Sequence, residues 1–469
     1  MRRDSLCIAA LTLLVGGCLP TLPQGRARTP NTLVPETFAG HREDQSSAQL
    51  TWKQLFTDPK LVELIETALQ NNQELNILSA EIDIAQNEIL ARRGEYLPNL
   101  GFQIGTGIEK VGRYTSQGAS DEANHVSEHL PNFGFGFVFS WEIDIWSKLR
   151  NATKAAVLRY LASQEGRKFA VTMLVGEVAT SYYELLALDA QLEVVKQNIE
   201  LQTSALEVVR LQKEAARVTE LAVTRFEAEV LKNQCRQFAI QQQIVETENR
   251  INFLLGRFPQ HVDRSAQSFT ALVPAIVRTG VPSQLLENRP DVRQAELELA
   301  ALDLDFRVAK ASFYPTLGIS GTIGYQSFDF LKIVATPASL VYGLAADLFA
   351  PLFNRKALTA NYFTANSKQQ QAVYKYERTV LNSFLEVVKQ LAMIRNLEQS
   401  YALQAQQVDR LTQSIDISWR LFASARADYM EVLLTRRDML ESQMELIENK
   451  KRQMTAVVGL YQALGGGWR

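Results

Sequence analysis

An internal repeat begins at Tyr96-Leu97-Pro98-Asn99-Leu100-Gly101, which is matched 217 residues later by Phe313-Tyr314-Pro315-Thr316-Leu317-Gly318. Because the matches that follow are collinear, one structural unit is used twice, over residues 58–280 and 281–469. The offset falls from 217 to 207, which assigns ten extra residues to the first copy, and we place them in 112–131. The later matches are Ile143-Asp144-Ile145-Trp146-Ser147-Lys148 with Ala350-Pro351-Leu352-Phe353-Asn354-Arg355, and Leu255-Gly256 with Leu464-Gly465 at an offset of 209.

Each copy predicts a helix, a pair of strands and two long helices. Apolar residues with a period near 3.6 predict helices at 72–93 and 291–311, which end before Pro98 and Pro315. Beyond each proline the period changes to two. This change predicts strands at about 99–110 and 132–142 in the first copy and at about 316–328 and 339–349 in the second. Residues 133–141 are the clearest case, since every odd position is Phe or Trp.

Long stretches without proline follow each strand pair. They cover 147–212 and 219–255 in the first copy and 354–423 and 428–464 in the second, and their apolar residues recur with a period near 3.5. This period is typical of coiled-coil packing. We therefore expect two long helical hairpins, at about 147–255 and 354–464.

The strands favour a membrane-embedded sheet. A soluble sandwich could explain the alternation in one strand, but four strands cannot build such a core among helices that separate them in sequence. Aromatic outward faces with small or polar inward faces are typical of barrels in lipid. Four strands are too few to close a barrel. The sequence therefore predicts a barrel that is shared between subunits.

Composition excludes several classes of protein. The 469 residues carry a net charge of −2, so the chain lacks the basic surface of a nucleic-acid-binding protein. The hydrophobic fraction of 46% excludes a disordered chain. Outside the N-terminus, no apolar stretch approaches the roughly 18–20 residues that a membrane-spanning helix needs.

The N-terminus reads as an export signal. Arg2 and Arg3 precede an apolar run at 6–15, and Val15-Gly16-Gly17-Cys18 resembles the bacterial lipobox. We expect residues 1–17 to be a lipoprotein signal peptide, Cys18 to be acylated with palmitate, and residues 18–57 to form a lipid-anchored extended segment. Leu19 replaces the Asp of inner-membrane retention signals. Cys235 is then the one thiol left, so no intramolecular disulfide is expected.

Four segments together resemble the TolC-like outer-membrane factors, and within them the lipoprotein branch of OprM and NodT type. The resemblance spans nearly the whole mature chain. It implies a mixed α+β membrane protein: a homotrimer with a 12-stranded β-barrel in the outer membrane of a Gram-negative bacterium, continuous with a 12-helix periplasmic α-barrel. The segments are Arg289-Pro290-Asp291-Val292-Arg293, Trp141-Glu142-Ile143-Asp144-Ile145-Trp146, Phe313-Tyr314-Pro315-Thr316-Leu317 and Tyr461-Gln462-Ala463-Leu464-Gly465-Gly466-Gly467-Trp468.

The resemblance also implies a function and partners. The protein would be the outer-membrane channel of a tripartite efflux system, including multidrug efflux, that works with a periplasmic adaptor protein and an inner-membrane RND-type transporter. Two alternatives stay open: a lipid-anchored coiled-coil envelope scaffold that does not conduct, and a conduit for type I protein secretion. The sequence does not identify the exported compound.

The predicted hairpin tips depart from the family pattern. Where family members have Gly and Asp in the second hairpin, this chain has Ala425 and Leu434, and the usual Arg-to-Asp lock is replaced by Ala423 and Ala222. Three-fold symmetry would repeat each acidic tip residue three times around a narrow mouth and favour cations. The candidate gate residues are Asp428, Glu431, Glu220, Arg217 and Arg426, with the arginines as possible partners of the acids. Alternatively, all five are solvated and contact the adaptor.

One segment matches a catalytic pattern. His125-Val126-Ser127-Glu128-His129 fits the H-x-x-E-H of zinc proteases, but that chemistry needs a helix, whereas these residues are expected in the loop between two strands. Adventitious metal binding or a plain solvated loop fits better. We expect no enzyme activity, no catalytic residue, no cofactor and no structural metal.

Overall fold

The computed structural model describes residues 28–31, 33–38, 46–265, 269–351, 353, 355–424 and 426–469. Within them lie four strands, β1 (Asn99–Glu109), β2 (Leu130–Ile143), β3 (Thr316–Ser327) and β4 (Leu340–Phe349). The α-helices of the same residues are α1 (Trp52–Leu55), α2 (Pro59–Asn71), α3 (Gln73–Tyr96), α4 (Ser116–Ala123), α5 (Lys148–Glu214), α6 (Glu220–Leu254), α7 (Gln284–Asn288), α8 (Pro290–Ala311), α9 (Lys356–Ala423) and α10 (Tyr429–Ala463). Single 3-10 turns lie at Ser47–Gln49, Phe269–Ala271 and Phe330–Lys332.

The strands form one antiparallel sheet in the order β1-β2-β3-β4. One row of pairs shows the register: Phe102 pairs with Phe137, Phe137 with Ile323, and Ile323 with Tyr342. The pairing of β2 with β3 joins the two copies of the repeat, because β2 belongs to the first copy and β3 to the second.

The chain divides into two compact units. The described residues of the first unit are 28–30, Ile82–Ala162 and Glu296–Lys375, and this unit contains the sheet. The second unit contains the described residues of Asn31–Glu81, Ser163–Ala295 and Tyr376–Arg469. Its main core packs α1 and α2 against α5, α6 and α10, and it includes the fully buried residues Leu61, Ile65, Val178, Tyr182, Leu185 and Ile251.

The second unit holds the two copies together by equivalent contacts. In the first copy, Asn72 Nδ2 donates to the carbonyl of Leu254 at 2.9 Å. In the second, Arg289 Nη1 donates to the carbonyl of Ala463, also at 2.9 Å. Asn72 and Arg289 are 217 residues apart, and Leu254 and Ala463 are 209 apart. These are the offsets of the sequence repeat, so two different side chains do the same work at corresponding positions.

A glycine ends the second long helix of each copy. Gly256 and Gly465 have φ of +66° and +89°, a conformation that side chains other than glycine rarely adopt. A Cβ at Gly256 would lie 2.4 Å from the carbonyl oxygen of Asn71, and one at Gly465 would lie 2.6 Å from that of Asn288. The chain therefore needs glycine at both positions to bring each hairpin back against the start of its own repeat.

Some elements differ from the sequence expectations. The extra residues of the first copy at 112–131 contain a helix, α4, whose first turn is capped by the Thr115 hydroxyl. The segment expected to be extended up to residue 57 contains the turn Ser47–Gln49 and helix α1. β2 begins at Leu130, two residues earlier than expected. The signal peptide, Cys18 and Ala425 lie outside the described residues.

The described helices were also compared with the length and hydropathy that a transmembrane helix needs. None of them has a segment apolar enough to cross a membrane.

Candidate functional site

The register gives the sheet one continuous apolar face. Its large side chains are exposed in the single chain: Ile104, at the centre of β1, is 77% exposed and Tyr342 is 82% exposed. Inside the strands no charged residue lies on this face. Its members are Leu100, Phe102, Ile104, Thr106 and Ile108 of β1, Phe133, Phe135, Phe137, Phe139, Trp141 and Ile143 of β2, Leu317, Ile319, Gly321, Ile323 and Tyr325 of β3, and Leu340, Tyr342, Leu344, Ala346 and Leu348 of β4.

The opposite face is small and polar. It carries the charged residues Glu109, Glu142 and Asp347, of which Glu142 pairs with Lys148 at 2.5 Å. Glycine is concentrated on this side, so little side-chain volume projects from it. The glycines are Gly101, Gly105, Gly107, Gly134, Gly136, Gly318, Gly324 and Gly343, whereas only Gly321 lies on the apolar face.

Both outer strands have an unpaired edge. Within the described residues, β1 pairs only with β2, and β4 pairs only with β3. An edge of this length is a template for another strand, and proteins usually protect it. The sheet is therefore open on both sides in the single chain.

Tryptophans mark the end of the sheet where β2 ends and β3 begins. Trp141 Nε1 donates to the carbonyl of Tyr96 at 3.0 Å, and Trp146 Nε1 donates to that of Pro315 at 2.8 Å. Trp146 also stacks on Tyr314, with 4.7 Å between the ring centroids. Aromatic residues with a polar atom are enriched where a membrane meets water.

The structure brings the two predicted hairpin tips into one hydrophobic cluster of the second unit. Ala222, Val223 and Phe226 of the first hairpin pack with Phe422 and Val432 of the second. The five candidate gate residues are all exposed. Glu220 forms an ion pair with Lys213, which the sequence analysis did not single out. Arg217, Arg426, Asp428 and Glu431 make no side-chain ion pair with the described residues of this single chain, so the two arginines do not pair with the acids within one protomer.

Arg436 was also missed by the sequence analysis. Its Nη1 donates to the carbonyl of Leu201 in α5 at 3.1 Å, and its guanidinium lies 5.4 Å from the ring centroid of Trp419 in α9. The buried Nε has no hydrogen-bond partner. Burial lowers the pKa of Arg436, because no carboxylate compensates its charge. The signal in the sequence was weak, since a cation near a helical hairpin tip is ordinarily solvated.

The His125 to His129 segment follows α4 as a turn. Glu128 pairs with Lys110 at 2.7 Å and with Arg113 at 3.9 Å. The hydrogen bond from Lys110 lowers the pKa of Glu128. Its carboxylate is thus already engaged by two cations. Within the described residues, no group of three His, Cys, Asp or Glu side chains is arranged to hold a metal ion.

The fold and this sheet define a class of protein, and comparison with known families identifies it. The family model of the outer membrane efflux proteins matches residues 64–257 and 281–466. The chain belongs to this family, as the resemblance to the TolC-like factors predicted. It is an outer-membrane channel component of a tripartite efflux system.

Relatives match the chain over its full length. OpmQ, the pyoverdine export outer membrane protein of Pseudomonas aeruginosa, is 28% identical over 100% of this chain and 98% of its own. SrpC, the solvent efflux pump outer membrane protein of Pseudomonas putida, is 28% identical over 100% and 99%. SilC of Salmonella typhimurium, named a probable outer membrane lipoprotein, is 24% identical over 100% of both.

Solved structures share the fold. A membrane protein from Pseudomonas aeruginosa superposes with a TM-score of 0.86 at 24% identity, covering 94% of this chain and 99% of that chain. The open state of the MtrE outer membrane channel from Neisseria gonorrhoeae gives a TM-score of 0.83 at 22% identity, covering 96% and 99%. The fold is that of the TolC-like outer-membrane channels, mostly helical with a small number of strands.

Proposed function

We propose that three copies of the chain close a 12-stranded β-barrel that conducts small molecules across the outer membrane. The observation that carries this proposal is the sheet: an apolar face, a small polar face, and two unpaired edges. Pairing β4 of one copy with β1 of the next removes every edge and turns all the apolar faces the same way. The long hairpins of the three copies then supply the helices of a periplasmic tunnel.

The height of the apolar face fits this role. On β2 the face runs from Phe133 to Ile143, ten residue steps, or about 34 Å along the strand. At the tilt of roughly 40° usual for such barrels, this is about 26 Å along the membrane normal, close to the apolar band of roughly 25 Å in outer-membrane barrels. The tryptophans at one end of the sheet would then lie at the membrane interface.

For partners, we propose a periplasmic adaptor and an inner-membrane RND-type transporter. OpmQ is named for pyoverdine export and SrpC for a solvent efflux pump. Their names favour a small-molecule cargo over a secreted protein. A scaffold without conduction would explain the helices but gives the apolar face of the sheet no purpose. We also propose no catalytic activity, because the Glu128 carboxylate is occupied by Lys110 and Arg113.

Loss of the gene tests this function. A deletion strain should become sensitive to some antibiotics, dyes, solvents or metals, and the wild-type gene should restore resistance. In planar bilayers the purified protein should conduct as a trimer. Conductance from a proven monomer, or a trimer that never conducts together with an unaltered resistance profile, would contradict the proposal.

At the N-terminus, we propose that residues 1–17 are cleaved and that Cys18 carries the lipid, with 18–57 leading to the two repeats at 58–280 and 281–469. The name of SilC, a full-length relative, supports a lipoprotein.

The Cys18→Ser variant should lose palmitate but remain a membrane-embedded trimer, because the barrel supplies most of the anchoring. Radiolabelled palmitate incorporation measures the first effect, and extraction of membranes with alkaline carbonate measures the second. Cys235→Ser is the control and should keep the label. A soluble, monomeric Cys18→Ser protein would contradict the prediction.

At the periplasmic end, we propose that the hairpin tips form the aperture. Asp428 and Glu431 lie one helical turn apart and are exposed. Repeated three times, they would form two acidic rings, with Glu220 and its partner Lys213 close to the same cluster. In a trimer, Arg217 and Arg426 are available to acids of a neighbouring copy.

Replacing both acids, in Asp428→Asn with Glu431→Gln, should weaken the cation preference of the channel by about twofold or more, because six negative charges leave a narrow mouth. If the acids also hold the tips closed across subunits, basal conductance should rise. Reversal potentials in a salt gradient measure the preference. The matched control, Glu441→Gln with Glu445→Gln, removes the same charge further along α10. Unchanged selectivity and conductance with lost adaptor binding would assign these acids to docking.

A further inference from the structure

The loop between β3 and β4, residues 328–339, is unusually apolar for the end of a membrane sheet. Four of its large side chains are exposed: Phe328, Phe330, Leu331 and Val334. Leu331 is the most exposed of them, at 88%. Burying side chains of this size is worth about 1.5–3 kcal/mol each, so water is a poor environment for the whole loop.

The loop leans on one particular side of the sheet. The ring of Phe330 packs edge-on against Phe133, with 5.4 Å between the ring centroids. The hydroxyl of Thr336 lies 3.0 Å from that of Tyr325. Phe133 and Tyr325 both belong to the apolar face, so the loop extends this face rather than covering the polar one.

Internal hydrogen bonds fix the loop in this arrangement. The Asp329 side chain accepts from the backbone nitrogen of Leu331 at 3.0 Å and so caps the turn Phe330–Lys332. The Ser339 hydroxyl donates to the carbonyl of Lys332 at 2.7 Å, and the backbone of Gln326 donates to that of Ser339 at 2.8 Å. The exposed apolar side chains are therefore held in place by the fold.

The loop at the same end between β1 and β2 has a different character. Its residues are largely polar, and Lys110 and Arg113 pair with Glu128. Helix α4 carries Asp121 and Glu122. This contrast makes the β1–β2 loop a built-in reference for a loop that lies in water.

We infer that the β3–β4 loop inserts into the outer leaflet of the membrane, where lipid acyl chains contact Phe330 and Leu331. The inference rests on the proposed function, in which the apolar face meets lipid, and the loop is continuous with that face. Lys332, exposed beside Leu331, can extend its ammonium group to the anionic headgroups while its stem stays in the apolar layer.

Spin labels test the insertion. In a Cys235→Ser background, single labels are placed at Leu331→Cys, at Tyr342→Cys on the apolar face of β4, and at Val126→Cys in the β1–β2 loop. The full chain is reconstituted in vesicles of phosphatidylcholine and phosphatidylglycerol. Collision rates with oxygen, which concentrates in lipid, are compared with those of a water-soluble nickel chelate.

The oxygen-to-nickel ratio at Leu331→Cys should be several-fold higher than at Val126→Cys and similar to that at Tyr342→Cys. A ratio at Leu331→Cys like that at Val126→Cys would overturn the inference, since the loop would lie in water. Low collision rates with both reagents would also overturn it, because the loop would then pack on protein. If Tyr342→Cys itself reads as exposed to water, the proposed barrel fails, which separates the two failures.

Discussion

Lysine in place of Ile104 should remove the protein from the outer membrane. Ile104 is the central residue of β1 and faces outward on the apolar side of the sheet. A lysine at the bilayer midplane of such a barrel costs about 2–4 kcal/mol, and three copies of the chain would multiply this to roughly 6–12 kcal/mol per trimer. Immunoblots of outer-membrane fractions should show little assembled protein in the Ile104→Lys strain.

Gln103→Lys is the matched control for this change. It introduces the same side chain at the neighbouring residue of the same strand, but on the polar face. There the ammonium would meet the aqueous interior, so the variant should assemble near the wild-type level. Equal loss of both variants would indicate a general folding defect, and normal assembly of both would contradict a lipid-facing apolar side.

The Arg289→Met variant should be less stable by about 3–5 kcal/mol, because removing one partner of a buried ion pair leaves the other uncompensated. Arg289 is 4% exposed, forms a bidentate pair with Asp291 at 2.9 and 2.7 Å, and reaches Glu386 at 2.7 Å. Burial lowers the pKa of its guanidinium, but the hydrogen bonds and charges of Asp291 and Glu386 outweigh it and raise the pKa above its ordinary value. Urea-induced unfolding in detergent measures the loss.

Arg92→Met serves as the control for Arg289→Met. Arg92 also contacts two acids, Glu88 and Glu95, but on an exposed helix surface. Exposed pairs of this kind contribute about 0–1 kcal/mol. If the two variants lost similar stability, the Arg289 network would be an ordinary surface pair rather than the link between α8 and the end of α10.

Much of the fold follows from the sequence for identifiable reasons. The alternation of Phe133, Phe135, Phe137 and Phe139 with small residues indicates a strand with one apolar face, and the structure has this face across all four strands. Pro98 and Pro315 mark the helix ends because proline cannot continue a helix. These signals are local, so they are readable without knowing what the chain packs against.

The rest depends on packing and could not be read from the sequence. Asn72 and Arg289 occupy corresponding positions and bond to corresponding carbonyls, although the residue types share no pattern. At the tips, the sequence gave no reason to prefer Lys213 over Arg217 as the partner of Glu220, since both lie within reach of the turn. Arg436 reads as a surface cation, and only the positions of Leu201 and Trp419 make it a half-buried link between the hairpins.

The internal repeat gives the register of the proposed junction between subunits. The β2–β3 ladder joins the first copy of the repeat to the second, and Phe137 pairs there with Ile323. Ile323 corresponds to Thr106, 217 residues earlier, and Phe137 corresponds to Ala346, 209 residues later. If β4 meets β1 of the next chain as β2 meets β3, Thr106 and Ala346 face each other across the junction, on the apolar face.

Disulfide cross-linking of Thr106→Cys with Ala346→Cys, in a Cys235→Ser background, tests the shared barrel most directly. Paired residues of neighbouring antiparallel strands lie about 4.5–5.5 Å apart, within the range that a disulfide spans. Membranes treated with an oxidant should yield a covalent trimer on a non-reducing gel, and reduction should return it to monomer. Thr106→Cys with Leu340→Cys, which is out of register, should not cross-link. Only monomer from the in-register pair, or equal products from both pairs, would contradict a barrel closed by three chains.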